Sequence, residues 1–314
     1  MINPKSKIFL APLAGITDST FRIICREHGA DVVYTELISA DAIYHNSKKT
    51  FEMMKFSQKE RPIGIQLFGS DIEIMANAVR KSEELSPDFI DINLGCSIKK
   101  INKQGHGAAL LRDLRKMKDI MISAVSSSSI PVSAKMRIGW NKDRGVDIAQ
   151  ILEKSGVSFI AVHGRTAIQK FEGESDWESI KKIKESVKIP VIGNGDIFTA
   201  EQAVEKWKFA KTDSIMIGRG SFGNPWIFTQ IKELVSTGKI QTNPDIYDRM
   251  EILEKHYKMA CANDNDDSQI KLMRKHFHWY VYGIPDTRHY KEIVNNTVDL
   301  QKVLNIIEEI KKGR

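Results

Sequence analysis

One cysteine lies where a thiol could do chemistry. Cys96 follows the apolar segment Asp88–Asn93 and a glycine, and the basic residues Lys99 and Lys100 come shortly after it. A thiol between the end of a strand and a cationic loop is placed to act on an anionic partner. Free cysteines are also often small buried hydrophobes. This stretch alone leaves both interpretations open.

Further candidate residues lie near the ends of short apolar segments or just after them. They are Pro12, Leu13 and Ala14, then Gln66, Asn93, Lys135, Arg137, His163 and Arg165, and lastly Asn194, Gly195, Asp196, Gly218 and Arg219. Glycines in the last two segments let backbone N–H groups approach an anion, and the guanidinium of Arg219 could add a bidentate contact. These two segments favour a phosphate site, although tight turns would use the same residues.

Eight short apolar segments contain or precede these residues, and helix-length amphipathic segments separate the eight. The eight are Ile8–Ala11, Asp31–Thr35, Pro62–Phe68, Asp88–Asn93, Pro131–Arg137, Ser158–His163, Ile189–Gly193 and Ser214–Gly218. Several are apolar on both faces, as strands covered on both sides are. Strands that alternate with helices indicate parallel pairing. Eight such units in about 220 residues predict an α/β fold, a (β/α)8 TIM barrel.

The predicted barrel brings the candidate residues together. The active site of this fold lies at the C-terminal ends of the strands, which is where these residues fall. Lys135 and Arg137 are two residues apart in one strand and therefore share a face. A doubly wound open sheet is the alternative architecture, but no Gly-x-Gly-x-x-Gly motif follows the first apolar segment.

A second, all-helical domain is predicted over residues 239–314, after a catalytic barrel of residues 1–238. Asn243 and Pro244 predict the N-cap and first turn of one helix. Further helices are predicted over residues 268–282 and 293–311, with a polar acidic loop over residues 263–267. The region is therefore expected to form a small helical bundle.

Basic and aromatic residues are interleaved within this bundle, although its charges cancel overall. The basic members are Lys271, Arg274, Lys275, Arg288 and Lys291, and His276, His278, Trp279, Tyr280 and Tyr290 lie among them. Such interleaving suits phosphate contacts and base stacking. For the aromatic residues we favour the other interpretation, in which Phe277, Trp279 and Tyr280 form the core of the bundle.

The composition of the 314 residues is that of an ordinary globular protein, with 41% hydrophobic and 28% charged residues. No apolar segment is long enough to span a bilayer, and the N-terminus has no signal-peptide core. Three scattered cysteines predict neither a disulfide framework nor a metal site. We therefore expect a cytoplasmic protein with no membrane association. The formal net charge of +7 indicates a polyanionic partner without identifying it.

Taken in order, these segments resemble the bacterial, FMN-dependent tRNA-dihydrouridine synthase family. The matching motifs are Ala11-Pro-Leu-Ala-Gly-Ile-Thr-Asp18, Gln66-Leu-Phe-Gly-Ser70, Asp91-Ile-Asn-Leu-Gly-Cys96, Gly105-His-Gly-Ala-Ala-Leu-Leu111, Lys135-Met-Arg-Ile-Gly139, Val162-His-Gly-Arg-Thr166, Gly193-Asn-Gly-Asp196 and Ile217-Gly-Arg-Gly220. The segment Met273-Arg-Lys-His276 is similar to the helical tRNA-binding domain of the family. Two positions depart from the usual pattern, because Leu13 replaces a methionine and Ser97 replaces a proline.

The resemblance implies an oxidoreductase that reduces the C5–C6 bond of uridine in tRNA with FMN, which NADPH or NADH re-reduces. It implies that Cys96 donates the proton. The implied cofactor residues are Pro12, Leu13, Ala14, Gln66, Lys135, His163, Asn194, Gly195, Asp196, Gly218 and Arg219. The implied substrate and tRNA residues are Asn93, Arg137, Lys99, Lys100, Arg165, Arg274 and Lys275. No metal or protein partner is implied, and we expect a monomer.

Two other functions stay open on the residues alone. A flavin-dependent barrel enzyme could reduce a free pyrimidine or enone, but a small substrate would not need the C-terminal bundle. An RNA-binding or folding factor without catalysis would carry no flavin, so the absorbance of the purified protein distinguishes it.

Overall fold

The computed structural model describes residues 3–262 and 267–313, and within them eight parallel strands form one sheet. The strands are β1 (Ile8–Leu10), β2 (Val33–Ser39), β3 (Ile63–Phe68), β4 (Phe89–Leu94), β5 (Val132–Arg137), β6 (Phe159–His163), β7 (Val191–Asn194) and β8 (Ser214–Ile217). Their order, β1-β8-β7-β6-β5-β4-β3-β2, pairs the first strand with the last. Each predicted segment overlaps one strand, although β2, β4 and β7 extend beyond the C-terminal ends predicted for them.

The ring closes between β1 and the residues that lead into β2. The N–H of Leu10 donates to the carbonyl oxygen of Val32 at 2.9 Å, and the N–H of Asp31 donates to that of Ile8 at 2.8 Å. The sheet is therefore a barrel rather than the open sheet considered as the alternative, and the TIM-barrel prediction is confirmed.

Helices follow the strands, and most of them cover the outside of the barrel. They are α1 (Ser19–Glu27), α2 (Ala40–Tyr44), α3 (Lys48–Met54), α4 (Ile72–Glu83), α5 (Lys99–Lys103), α6 (Leu114–Ser126), α7 (Gly145–Lys154), α8 (Trp177–Ser186), α9 (Ala200–Ala210) and α10 (Ile227–Thr237). Short 3-10 helices cover Gln58–Glu60, Gly107–Arg112 and Arg219–Ser221. Apolar residues of the helices and of the outward strand faces form the main core.

Aromatic side chains fill the N-terminal end of the barrel interior. Phe9, Tyr34, Phe89 and Phe159 are fully buried there. The rings of Tyr34 and Phe89 meet edge to face at 5.2 Å, and those of Phe89 and Phe159 at 5.3 Å. Because this end is packed solid, a ligand can enter only at the C-terminal mouth.

The C-terminal region forms the predicted helical bundle. Its helices are α11 (Ile246–Ala260), α12 (Asp267–Tyr280), α13 (Arg288–Asn296) and α14 (Leu300–Lys311). Within the described ranges, no helix is both long and apolar enough to cross a membrane. The predicted acidic loop over residues 263–267 lies outside the described residues except for Asp267, which begins α12. The predicted domain boundary falls beside Gly238, the C-cap of α10, and stays a prediction.

Two helix boundaries differ from the sequence prediction. The N-cap of α11 is Asp245 rather than Asn243, because the carboxylate of Asp245 accepts from the N–H of Asp248 and the two residues form a reciprocal capping box. The single helix predicted over residues 293–311 is two helices, because Asp299 caps α14 by accepting from the N–H of Lys302.

The aromatic residues of the bundle divide between its core and the barrel. Phe277 and Tyr280 are fully buried in the core, as predicted. Trp279 instead stacks on Phe222 of the barrel with ring centroids 4.1 Å apart. Gly223 permits this close approach, since a Cβ there would lie 2.5 Å from the backbone carbonyl carbon of Trp279. The bundle therefore packs directly on the loop that follows β8.

Candidate active site

An open cleft lies at the C-terminal mouth of the barrel. It has about 990 Å³ of empty space, part of which is continuous with solvent. The ends of all strands except β3 contribute to its lining. The predicted site residues among the lining are Pro12, Leu13, Ala14, Asn93, Cys96, Lys135, Arg137, His163, Asn194, Gly195, Asp196, Gly218 and Arg219. The structure thus brings most of the predicted residues to one place, while the role of each stays a prediction.

Cys96 lines this cleft. It lies in the loop of residues 95–98 between β4 and α5, the Cys96 loop, and Asn93 holds this loop. The side-chain oxygen of Asn93 accepts from the N–H of Cys96 at 2.9 Å and from that of Gly95 at 3.2 Å. Burial raises the pKa of the Cys96 thiol above its usual range, although the nearby cations Arg137 and Lys135 oppose the shift. The thiol is therefore protonated near neutral pH and can act as an acid.

Lys135 forms a cationic part of the cleft wall. Its ammonium donates to the side-chain oxygen of Asn194 at 3.3 Å. The amide nitrogen of Asn194 in turn donates to the carbonyl oxygen of Met216 at 2.8 Å, which fixes the orientation of this amide. Burial and the charge of Arg137 lower the pKa of Lys135 to about 8. Lys135 can therefore bear a positive charge at neutral pH and respond to a ligand beside it.

Arg137 joins the loops that follow β4 and β6. Its Nε donates to the carbonyl oxygen of Gly95 at 2.9 Å, and its Nη1 donates to those of Thr166 and Lys170, each at 2.8 Å. The side chain is only 4% exposed. Arg137 thus holds the Cys96 loop in place, besides the substrate contact that the resemblance implies.

His163 is held neutral at the end of β6. Burial, together with the charges of Lys135, Arg137, Arg165 and Arg219, lowers the pKa of its imidazole well below the usual value. A neutral imidazole has one donor and one acceptor nitrogen, so it can bind a polar ligand without adding charge.

Asp196 organises two arginines at the end of β7. Its carboxylate accepts two bonds from Arg165, at 2.9 and 2.6 Å, and one from Arg219 at 2.9 Å. Burial alone would raise the pKa of Asp196, but hydrogen bonds from Arg165 and Ser175 lower it. The guanidinium of Arg219 also lies 4.5 Å from the ring centroid of Phe171 and faces the cleft. Arg219 is thereby oriented toward a ligand.

Glycine is required at position 195. Its φ is +128°, and a Cβ there would lie 2.1 Å from the Oγ of Ser175 and 2.8 Å from the ring of His163. The backbone can therefore approach a ligand closely between Asn194 and Asp196.

Arg165 is buried rather than exposed, and its predicted contact with substrate or tRNA stays a prediction. Its side chain is 2% exposed, and its guanidinium is bound to Asp196 and to the carbonyl oxygens of Glu172 and Gly173. All three nitrogens of its guanidinium are engaged within the protein. Arg165 instead positions Asp196 and, through it, Arg219.

Two basic residues of the bundle are likewise engaged within the protein. Arg274 is half-buried and donates to the carbonyl oxygen of Thr297 at 3.1 Å. The ammonium of Lys275 donates to the carbonyl oxygen of Gly15, in the loop after β1. Both are thus held within the protein, and their predicted contacts with tRNA stay predictions. Lys99 and Lys100, by contrast, are exposed on α5 beside the Cys96 loop.

Gln66 does not line the cleft, although the resemblance assigns it to the flavin. It is fully buried, and both ends of its side-chain amide are bonded to neighbours inside the barrel. Sequence reasoning missed Phe171 and Phe198, exposed aromatic residues that do line the cleft. An aromatic residue in a polar loop is the only signal that could have indicated them.

We expect Asp196→Ala to lower the free energy of unfolding by about 3 kcal/mol, because it leaves the buried guanidinium of Arg165 without its carboxylate. Urea unfolding measures the change. Asp147→Ala is the control, because Asp147 pairs with Arg144 on the surface at 3.2 Å and should cost less than about 1 kcal/mol. Equal losses in the two variants would contradict the structural role of Asp196.

The fold and the cleft define a (β/α)8 barrel with a ligand site at its C-terminal mouth. The family model for Dihydrouridine synthase (Dus) matches residues 9–313, and the chain belongs to this family. The match spans both the barrel and the bundle.

Two relatives of similar length support the assignment. The tRNA-dihydrouridine synthase B of Pasteurella multocida is 35% identical over 306 residues, which cover 97% of this chain and 92% of the relative. The tRNA-dihydrouridine synthase B of Pseudomonas syringae pv. tomato is 35% identical over 309 residues, which cover 98% and 92%.

More distant solved structures share the fold alone. The 6-hydroxypseudooxynicotine amine oxidase of Pseudomonas geniculata is 12% identical, with a TM-score of 0.57, and the match covers 74% of this chain and 48% of that one. The old yellow enzyme homologue of Zymomonas mobilis is 13% identical, with a TM-score of 0.50, and the match covers 77% and 92%. This chain thus spans about half the length of the first of these proteins.

Proposed function

We propose that this protein reduces the C5–C6 bond of uridine in tRNA and so forms dihydrouridine. The observation that carries the proposal is the placement of the Cys96 thiol in the cleft of a chain that belongs to the dihydrouridine synthase family. Two relatives named tRNA-dihydrouridine synthase B cover almost the whole chain. The barrel, residues 1–238, would carry the chemistry, and residues 239–314 would bind the tRNA, in the cytoplasm where that substrate is found.

The residues of the cleft fit a flavin mononucleotide. A guanidinium, a left-handed glycine and the cation of Lys135 offer the donors that a phosphate and an electron-rich ring system need. The holding residues would be Pro12, Leu13, Ala14, Lys135, His163, Asn194, Gly195, Gly218 and Arg219. Bound FMN would supply the hydride for C6 of uracil, and a nicotinamide nucleotide, NADPH or NADH, would restore the reduced flavin.

The protein itself would supply the acid, the thiol of Cys96, and the side chains that hold this thiol in position. The S–H of Cys96 donates its proton to C5 of the base as C6 is reduced, and solvent then reprotonates the thiolate. Asn93 holds the Cys96 loop through two N–H groups. Arg137 ties that loop to the next one, so the thiol keeps its position while the base enters and leaves. The target uridine must leave its stack to reach the cleft.

The test is mass-spectrometric mapping of dihydrouridine in tRNA from cells that lack this protein. We expect at least one position to lose the modification completely and to regain it when the wild-type protein is expressed again. Dihydrouridine that persists unchanged at every position would overturn the proposal.

A further inference from the structure

A buried chain of polar side chains runs from the middle of β3 and β4 toward the cleft. It consists of Asp91, Gln66 and Asn93, of which none is more than 5% exposed. Only Asn93 lines the cleft. The other two do not line it.

The hydrogen bonds of this chain all run in one direction. The amide nitrogen of Asn93 donates to the side-chain oxygen of Gln66 at 2.9 Å. The amide nitrogen of Gln66 donates to the carboxylate of Asp91 at 2.6 Å. At the other end, the oxygen of Asn93 accepts from the N–H groups of Cys96 and Gly95. The carboxylate of Asp91 is thus connected to the Cys96 loop through two amides.

The two ends of the chain are chemically fixed. A backbone N–H can only donate, and an ionised carboxylate can only accept. If the side-chain amide of Gln66 flipped, its NH2 group would face the NH2 group of Asn93, and two donors would meet. The amide of Asn93 would then have to flip as well, and its NH2 group would face the N–H of Cys96. The acceptor at Asp91 therefore decides which end of Asn93 points at the loop.

The carboxylate of Asp91 is itself held in place. The hydroxyl of Ser133 donates to its second oxygen at 2.5 Å. Burial raises the pKa of Asp91 to about 6, while the bonds from Ser133 and Gln66 oppose the shift, so the group is mainly ionised at pH 7. Burying the charged carboxylate of Asp91 costs stability, so we expect this residue to have a function that offsets the cost.

We propose that Asp91 is a positioning residue for Cys96. Its carboxylate fixes Gln66, Gln66 fixes Asn93, and the oxygen of Asn93 holds the loop that places the thiol in the cleft. The catalytic consequence rests on the proposed function, but the placement of the loop does not.

Charge is the competing explanation for any effect of Asp91, because its carboxylate also raises the pKa of Lys135. Asp91→Asn removes the charge but keeps an oxygen that can accept from Gln66, since its NH2 group can face the hydroxyl of Ser133. Asp91→Leu removes the charge and the acceptor at similar volume. The pair of variants therefore separates the two explanations.

The direct readout is the rate at which iodoacetamide alkylates Cys96, followed by mass spectrometry of its peptide so that Cys25 and Cys261 do not interfere. We expect Asp91→Leu to alkylate about fivefold faster than wild type, because the loop is released and the thiol is more exposed. Asp91→Asn should stay within about twofold of wild type. Ser214→Ala, which alters a buried serine at the opposite end of the barrel, should leave the rate unchanged.

With tRNA as substrate, Asp91→Leu should lower kcat about tenfold with little change in KM, because the thiol is misplaced while the RNA surface is intact.

Equal effects of the Leu and Asn variants on alkylation would overturn the proposal in favour of charge. An unchanged rate in Asp91→Leu, or in Asp91→Ala if the leucine variant does not fold, would overturn it outright. If alkylation changes as expected but the wild type reduces no tRNA, the positioning role stands and the proposed function fails.

Discussion

Cys96→Ala will lower the rate of dihydrouridine formation by about 100-fold or more, while flavin and tRNA still bind. The proposed acid is the thiol of Cys96, which lines the cleft, and burial raises the pKa of this thiol, so it carries a proton at neutral pH. Alanine removes that proton donor and leaves the bonds made by the backbone of residue 96 in place. The measurement combines product formation by mass spectrometry with flavin absorbance and tRNA binding.

The matched control is Cys261→Ala, which removes a thiol of intermediate burial from the bundle and should leave the rate within about twofold of wild type. Near-normal product formation in Cys96→Ala would mean that another group donates the proton. Loss of flavin in that variant would instead assign Cys96 to cofactor binding.

Replacing Lys99, Lys100 and Lys271 together by alanine will weaken tRNA binding about tenfold or more at physiological salt. All three side chains are exposed, two on α5 beside the Cys96 loop and one on α12. Lys271 is one helical turn before Lys275, whose ammonium reaches the loop after β1, so this face of α12 is turned toward the mouth. Phosphates of the bound tRNA are expected along this line.

The salt dependence makes this prediction specific. The slope of log K against log salt concentration should fall by about one for each lysine that neutralises a phosphate. Lys59→Ala/Lys154→Ala/Lys188→Ala is the control, because it removes the same charge from exposed positions near the N-terminal ends of β3, β6 and β7. Equal weakening by both triple variants would show that net charge, rather than this surface, attracts the tRNA.

The barrel could be predicted from the sequence because its signals are local and repeated. Each strand is a short apolar segment, and each is followed by a helix-length segment, so eight repeats determine the architecture without any single segment being decisive. The break between α13 and α14 was missed, because apolar residues keep a helical spacing on both sides of it. The capping role of Asp299 was the available signal.

The candidate site was predictable in position more than in detail. Residues at strand ends converge in a barrel, so their shared location follows from the fold. Their partners do not follow from it. The side chains of Arg165 and Lys275 could have faced either solvent or protein. Arg165 is held inside by Asp196 and by carbonyl oxygens of its own loop, and Lys275 by the carbonyl oxygen of Gly15, which is distant in sequence. The two hydrogen bonds that the side-chain oxygen of Asn93 accepts from Gly95 and Cys96 likewise depend on the conformation of a turn.

The most direct measurement is a single-turnover experiment under anaerobic conditions, in which tRNA reoxidises the reduced flavin. The purified protein is reduced until its flavin absorbance is bleached, and it is then mixed with tRNA from cells that lack the protein. We expect the flavin absorbance to return as dihydrouridine appears in the tRNA in stoichiometric amount. A flavin that stays reduced in the presence of this tRNA, or that is reoxidised without any dihydrouridine, would contradict the reduction of uridine by this protein.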